Sequence, residues 1–286
     1  YHFNKWYGIN IEMGIFMSYI GLESYVMNEN WSYQRSISCD MTPFYFSGAR
    51  IQVHPSKKLK QEIWLLNGWQ TYNSWNQGMG VGSSTYWRPT TNVQLVANFY
   101  LAGKDTRNAP GVARYHHDNS AVVRYYKRDG GKGISQAAFS INNHYGFQQG
   151  GAVSCSANYM AGTSVAHRVW WGRNKYAVTI RGDYATNPGA YLAFTPSPVA
   201  ANDYTDALAA GKTLSITQGT VTFDVMPNDY FTFRIEYGYR AASVPYFAGR
   251  GGTTSPDGWQ DTPTTTWRPD LVKTESRLTA AMCFRL

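Results

Sequence analysis

Charged residues are scarce in this chain of 286 residues: they make up 15% of it, and aromatic residues, at 16%, slightly outnumber them. An ordinary soluble domain carries about 25% charged residues. Long apolar runs are absent too, since no stretch approaches the roughly 20 residues of a membrane-spanning helix, and the mean hydropathy is −0.42. These features exclude a helical membrane protein, and the many aromatic side chains exclude a disordered chain. A soluble all-β protein and a transmembrane β-barrel remain.

Cysteine is also rare. Cys39, Cys155 and Cys283 are far apart and odd in number, so at most one disulfide can form, and no CxxC metal motif occurs. The net charge of +8 would suit nucleic acid. The basic residues are scattered, however, and the densest clusters, at 57–60 and 127–128, do not extend into tracts. Nucleic acid is therefore not expected as a partner, and no cofactor is predicted.

What the chain has in abundance is alternation of apolar and polar residues, which is typical of strands with two different faces. In 231–240, for example, every second residue is Phe, Ile or Tyr, and the residues between them are Thr, Arg, Glu and Gly. The pattern predicts twelve strands, near 6–16, 43–53, 59–70, 80–88, 92–102, 118–127, 134–146, 156–171, 176–186, 213–226, 230–241 and 270–286.

Long and short connections alternate between these strands. Long ones are predicted at 19–42, 72–79, 103–117, 147–155, 187–212 and 242–268, and tight turns separate them. Long extracellular loops and short periplasmic turns are typical of outer-membrane barrels, and an even strand count puts both chain ends on the turn side. In one strand Leu214 and Ile216 are out of phase with Val221 and Phe223. A β-bulge near Gly219 would restore the phase.

The two faces of the strands indicate which side meets lipid. Tyr and Trp lie near strand ends on the apolar faces, at Trp171, Tyr184, Tyr237 and Tyr239, as in the aromatic girdles of membrane barrels. In a soluble β protein the apolar face would instead form a core. The polar faces carry more bases than acids, and the predicted pore-lining residues are Arg50, Lys60, Glu62, Arg124, Arg168, Arg181, Asp183, Asp224, Arg234, Glu236, Arg240, Glu275 and Arg277, with Arg285 as a further base on the same face.

These lumenal bases have two interpretations. Rings of basic side chains in a pore favour anions, which predicts a weak anion preference. Alternatively, arginines and carboxylates on neighbouring strands form ladders that only brace the barrel. Arg234 with Glu236, and Arg277 with Glu275, are suitable pairs for such ladders.

Other candidate sites are weaker. Adjacent residues of His116-His117-Asp118 point to opposite faces and cannot chelate one metal well, so polar loop residues are the preferred interpretation. His54, His144 and His167 are isolated, no catalytic motif occurs, and no metal site is predicted. Residues 249–255 lack the Lys and the strand-to-helix context of a phosphate-binding loop. Their loop either folds into the lumen as a constriction, with Tyr246, Phe247 and Arg250, or is an ordinary surface loop.

Several segments resemble the OmpL-like β-barrel porin family of Gram-negative, Bacteroidetes-like outer membranes. The longest is Val-Pro-Tyr-Phe-Ala-Gly-Arg-Gly-Gly-Thr-Thr-Ser-Pro-Asp-Gly-Trp at 244–259, and others lie at 16–25, 42–51, 66–70, 158–164, 181–184 and 223–229. The resemblance spans essentially the whole chain. It implies one outer-membrane barrel domain over 1–286 that lacks N-terminal strands, with about sixteen strands in the full-length protein.

The sequence thus predicts an all-β, up-and-down transmembrane barrel in the bacterial outer membrane. Its expected function is passive diffusion of small hydrophilic solutes, with filtering by size and charge and no catalysis. Expected partners are outer-membrane lipid and those solutes, and further copies of the chain or other outer-membrane proteins are candidates. The alternatives are a non-conducting structural or receptor barrel or complex subunit, an outer-membrane hydrolase, and a secreted glycan-binding β protein.

Overall fold

The computed structural model describes residues 1–72, 78–104, 111–130, 133–151, 153–188, 191, 196–197, 201–255 and 267–285, except the side chains of 102–104. Parts of the predicted loops and of the family-like segment 244–259 lie outside these ranges. The strands are β1 (His2–Phe3), β2 (Ile9–Met17), β3 (Tyr45–Ser56), β4 (Leu59–Leu66), β5 (Gly80–Thr90), β6 (Val93–Lys104), β7 (Ala113–Lys127), β8 (Ile134–Gln149), β9 (Tyr159–Trp171), β10 (Tyr176–Asn187), β11 (Leu214–Asn228), β12 (Phe231–Ala242), β13 (Phe247–Ala248), β14 (Leu271–Val272) and β15 (Thr274–Phe284).

Thirteen of these strands form one antiparallel sheet in which chain neighbours pair, in the order β1 to β12 and then β15. The two-residue strand β1 only extends one edge, so the predicted set of twelve long strands is confirmed. The main differences are an earlier start of β7, at Ala113, and the small hairpin of β13 and β14 within a predicted loop. The described residues also include a 3-10 turn at Met27–Glu29 and the helices α1 (Ile37–Asp40) and α2 (Asp203–Ala209). No helix in the described ranges is long and apolar enough to cross a membrane.

The short connections lie at one end of the sheet, here called the turn side, and the long ones at the other, the loop side. The turn between β11 and β12 shows how the sequence builds a tight turn. The side-chain oxygen of Asn228 accepts hydrogen bonds from the backbone N–H groups of Tyr230 and Phe231, the typical Asx geometry of turns. Strand β15 ends on the turn side, where Phe284 pairs with Phe231.

The two faces of the sheet have opposite character. In β12, Arg234 and Glu236 are 3% and 1% exposed, whereas Ile235 and Tyr237 between and beside them are 56% and 50% exposed. The long strands show the same inversion of a soluble protein: apolar side chains cover the outside, and the inside carries most of the buried polar and charged side chains together with some apolar clusters. This arrangement suits a wall between lipid and an aqueous lumen.

The predicted bulge near Gly219 is wrong. The pairing of β10 with β11 runs without a break through Gly182 and Gly219, and the register shift of β11 against β12 lies between Val225 and Asn228. Leu214 and Ile216 instead face inward and are almost fully buried. Their phase differs from that of Val221 because the loop-side end of the lumen is filled with apolar side chains, so inward positions there are apolar as well.

Candidate functional site: the lumen

The predicted pore-lining residues share the inward face of their strands, and most of the charges are paired. Asp224 of β11 binds two arginines: its Oδ2 lies 2.6 Å from Nη2 of Arg168, and its Oδ1 lies 2.6 Å from Nε of Arg234. Arg181 binds its strand neighbour Asp183 with 2.9 Å between Nε and Oδ2. All five side chains are buried. Three arginines thus share two carboxylates of the wall, and only the Arg234–Asp224 contact joins neighbouring strands in the way that the ladder interpretation predicts.

A second group of charges lies on β2 to β4. Glu62 is buried and accepts from Lys60 Nζ at 2.8 Å and from Gln52 Nε2 at 2.6 Å. Arg50 binds Glu12 with 2.5 Å between Nε and Oε2 and lies over the ring of Trp64. Glu12 was not among the predicted pore-lining residues, although it occupies an inward position of β2. It reduces the excess of base on this part of the wall.

One predicted ladder pair is present and the other is not. Arg277 binds Glu275 at 2.9 Å, as predicted, and Arg240 lies 3.9 Å from the same carboxylate. The expected pair of Arg234 with Glu236 is wrong. Glu236 instead accepts hydrogen bonds from the backbone N–H groups of Tyr33 and Gln34, at 2.5 and 2.8 Å, because a chain segment lies against it in the lumen.

That segment is the connection between β2 and β3, residues 18–44, here called the lumen segment. It folds inward, and side chains of the wall bind its backbone. Arg168 and Thr179 donate to the carbonyl of Trp31 at 2.8 and 3.0 Å. Arg181 donates to the carbonyl of Gln34 at 2.6 Å. Its short helix α1 contacts β9 and β10. The sequence predicted this connection only as a long loop.

Small residues on the wall leave room for the lumen segment. A Cβ atom on Gly162 would collide with the Ser38 hydroxyl, and one on Gly82 would collide with the Tyr19 hydroxyl. Tyr19 also stacks on Trp64, with ring centroids 4.9 Å apart, and its hydroxyl donates to the Phe99 carbonyl at 2.8 Å. The inner wall is therefore complementary in shape and polarity to this segment.

The residues predicted as a constriction loop lie close to the loop-side end of the lumen. Phe247 is buried in an apolar cluster that also includes Ile37 and Met41 of the lumen segment, and Tyr246 packs against this cluster. Arg250 is exposed. Of the described residues, Tyr246 and Phe247 thus pack beside part of the lumen segment.

The histidine predictions need correction. His116, His117 and Asp118 belong to β7 and are not polar loop residues. As expected from alternation, His117 points away from its neighbours, while His116 and Asp118 are buried inside. His144 is not isolated: its Nδ1 lies 3.2 Å from Nε2 of His116, and its Nε2 lies 3.9 Å from the Cys39 sulfur.

The side chains of His116, His144, Cys39 and Asp118 belong to one buried hydrogen-bonded cluster. Asn142 accepts from Cys39 Sγ at 3.3 Å, and Asp118 receives bonds from Asn98 and from the backbone N–H of Gly21 at 3.1 Å. Within the described ranges no group of three or more His, Cys, Asp and Glu side chains could hold a metal ion. All three cysteines are free thiols. The cluster attaches the lumen segment to β6, β7 and β8.

Two cavities with shared lining residues lie between the turn side and the lumen segment. The outer one, here called the vestibule, has a volume of about 810 Å³, and the inner one about 210 Å³. Both are lined by Trp31, Gln94 and Val122. The inner cavity reaches Glu23 and Arg181 beside the lumen segment. The two cavities thus extend from the turn side to the lumen segment, and they share lining residues where they meet it.

Comparison with known proteins agrees with this architecture. The family model described as "putative beta-barrel porin-2, OmpL-like" matches residues 1–286. The chain belongs to this family. The chain is accordingly a β-barrel protein of the bacterial outer membrane.

A solved structure shows the same fold at low sequence identity. It is described as in-vitro folded OmpT, an outer membrane protein of Vibrio cholerae in a trimer form. It matches this chain with a TM-score of 0.50 and 8% identity, over 96% of this chain and 76% of that one. None of the curated protein sequences compared with this chain is significantly similar to it.

Proposed function

We propose that the protein is a passive channel for small hydrophilic solutes, with a weak preference for anions. The observation that carries the proposal is the pair of cavities that extend from the turn side to the lumen segment, with basic side chains around the outer one. Membership of a porin family and an outer-membrane fold support a pore rather than an enzyme. A lipid-facing apolar surface does not suit a secreted glycan-binding protein.

We infer the anion preference from the basic side chains at the turn-side entrance rather than from the arginines in the middle of the barrel. Arg168 and Arg234 share the single carboxylate of Asp224, which compensates one of their two positive charges. The vestibule is lined by Lys57, Lys58, Arg88 and Arg124, and no described residue lining it is acidic. Basic side chains at a narrow entrance raise the local concentration of anions.

A second candidate is a barrel that conducts little and serves as a structural or receptor subunit. The filling of the lumen favours it, because Trp64, Tyr100 and Ile216 are almost fully buried inside the wall. For this candidate the lumen segment would be a permanent plug, whereas a channel needs a path beside the segment or its displacement.

Liposome swelling separates the two candidates. Purified protein reconstituted in vesicles is exposed to isotonic sugars of increasing size. A channel gives swelling that slows with sugar size, and protein-free vesicles give the baseline. Swelling no faster than this baseline for the smallest sugar contradicts the channel.

A further inference from the structure

The vestibule brings together cationic side chains from three parts of the chain. Lys57 and Lys58 lie in the turn between β3 and β4, Arg88 lies near the end of β5, and Arg124 lies on β7. Within the described ranges none of the four forms an ion pair with a carboxylate. The vestibule therefore presents uncompensated positive charge around a single space.

The two arginines are held by neutral partners. Arg124 donates from Nε and Nη2 to the side-chain oxygen of Asn92, at 3.0 and 2.8 Å, and from Nη1 to Gln136 at 3.1 Å. Arg88 donates from Nε to Gln94 at 2.9 Å. Amide partners orient a guanidinium without cancelling its charge. Two arginines held by hydrogen bonds and two lysines thus line the same cavity.

Aromatic rings form another part of the lining. Trp31 of the lumen segment and Trp170 of β9 line the vestibule, with ring centroids 5.7 Å apart and an interplanar angle of 87°. The Arg168 guanidinium lies 5.0 Å from the centroid of Trp170. Ligand pockets combine aromatic walls with a few polar groups that fix orientation. Indole rings suit the C–H face of a sugar ring.

We infer that the vestibule is a binding site for an anionic carbohydrate, a mono- or disaccharide that carries a carboxylate or a phosphate. The anionic group binds among the lysines and arginines, and the sugar ring packs against the indoles. The volume of about 810 Å³ is within the roughly 300–1,000 Å³ of small-molecule pockets. This inference rests on the proposed function, since it makes the vestibule the solute-loading site of the channel.

Binding is measured by isothermal titration calorimetry on folded protein in detergent, which requires no conduction. The ligands are glucuronate and glucose 6-phosphate, with glucose and inorganic phosphate as comparisons. We expect both anionic sugars to bind more tightly than glucose, and glucose 6-phosphate to bind more tightly than inorganic phosphate. The double variant K57Q/K58Q should weaken binding of the anionic sugars about fivefold, the effect of two exposed charge contacts.

The matched control is R173Q/K175Q, which removes two exposed bases from another turn on the same side, outside the vestibule. It should leave the dissociation constants unchanged. Equal losses in both double variants, or no detectable binding of either anionic sugar to the unmodified protein, overturn the inference. Phosphate binding as tight as that of glucose 6-phosphate overturns its carbohydrate part. Binding without vesicle swelling supports the site and contradicts only the channel.

Discussion

Arg181 of β10 and Glu23 of the lumen segment form an ion pair inside the barrel, with 2.8 Å between Nη1 and Oε1. The arginine side chain is 1% exposed. The same guanidinium also binds Asp183 and the Gln34 carbonyl. A charge buried this deeply is stable only while its partners remain. Arg181 therefore couples the position of the lumen segment to the stability of the wall.

The variant Glu23→Gln should loosen this connection. It removes one carboxylate from Arg181 but leaves Asp183 in place, so the expected loss in the free energy of unfolding is about 1–3 kcal/mol. Urea unfolding of vesicle-bound protein measures this loss. Glu12→Gln is the control, since Glu12 also binds an inward arginine but lies on β2, outside the lumen segment. Equal free energies of unfolding for the two variants would contradict the inference that Arg181 couples the lumen segment to the stability of the wall.

Glu236 holds the backbone of the lumen segment directly. Glu236→Ala would leave the N–H groups of Tyr33 and Gln34 without their acceptor, at a cost of about 2–4 kcal/mol. The folded variant should become sensitive to trypsin after the buried Arg35. Glu275→Ala is the comparison, because its partners are the wall residues Arg277 and Arg240. Cleavage after Arg35 at the unmodified rate would show that other contacts hold the segment.

A substitution at Gly162 tests whether the inner wall fits closely against the lumen segment. Gly162→Val places a side chain where the Ser38 hydroxyl now lies, so the lumen segment must shift and the folded barrel should lose about 1–3 kcal/mol. Gly182→Ala and Gly219→Ala are controls on paired outward positions, where an added Cβ meets nothing within 4 Å. The measurement is the urea concentration at the midpoint of unfolding of each of the three variants. Equal midpoints for all three contradict a close fit at Gly162.

Cys39 reports the position of the lumen segment through its chemistry. Burial, with a smaller contribution from Glu23, raises the pKa of the Cys39 thiol to about 12. The thiolate is the reactive form, so maleimide should label Cys39 far more slowly than the less buried Cys155 and Cys283. In Glu236→Ala, labelling of Cys39 should accelerate. Labelling of all three thiols at one rate in the unmodified protein contradicts this packing.

The same thiol makes stability fall at high pH. An unfolded cysteine loses its proton near pH 8.5, whereas folded Cys39 keeps it until about pH 12. Between these values the unfolded state binds fewer protons, so raising the pH destabilises the folded state, by about 2 kcal/mol at pH 10. Urea unfolding between pH 8 and 10 should show that the free energy of unfolding falls as the pH rises. In Cys39→Ala the contribution of this thiol to the fall should be absent. An identical pH dependence in Cys39→Ala contradicts the assignment.

Alternation in the sequence was enough to predict the strands and both faces, because lipid and lumen impose opposite polarity on successive residues. It failed where the inside is not polar. Leu214 and Ile216 face an apolar cluster built from distant loops, and strand periodicity cannot distinguish such an inward apolar position from a bulge.

The lumen segment was missed for a related reason. Its contacts join residues far apart in sequence, such as Tyr33 with Glu236, and backbone amides that bind a carboxylate leave no pattern of side chains. Arg234 was assigned to Glu236 because the two are neighbours on one face, yet its partner lies on the adjacent strand, at Asp224. Two features could have suggested an inward fold: the length of 19–42, and glycines at inward positions such as Gly82.

Ion selectivity of the reconstituted protein is the most direct test of the account. In a planar bilayer with a tenfold gradient of potassium chloride, we expect open channels whose zero-current potential is shifted toward the equilibrium potential of chloride. The shift should shrink in K57Q/K58Q and persist in R173Q/K175Q. A potential shifted toward that of potassium, or the absence of any channel current, would contradict the account.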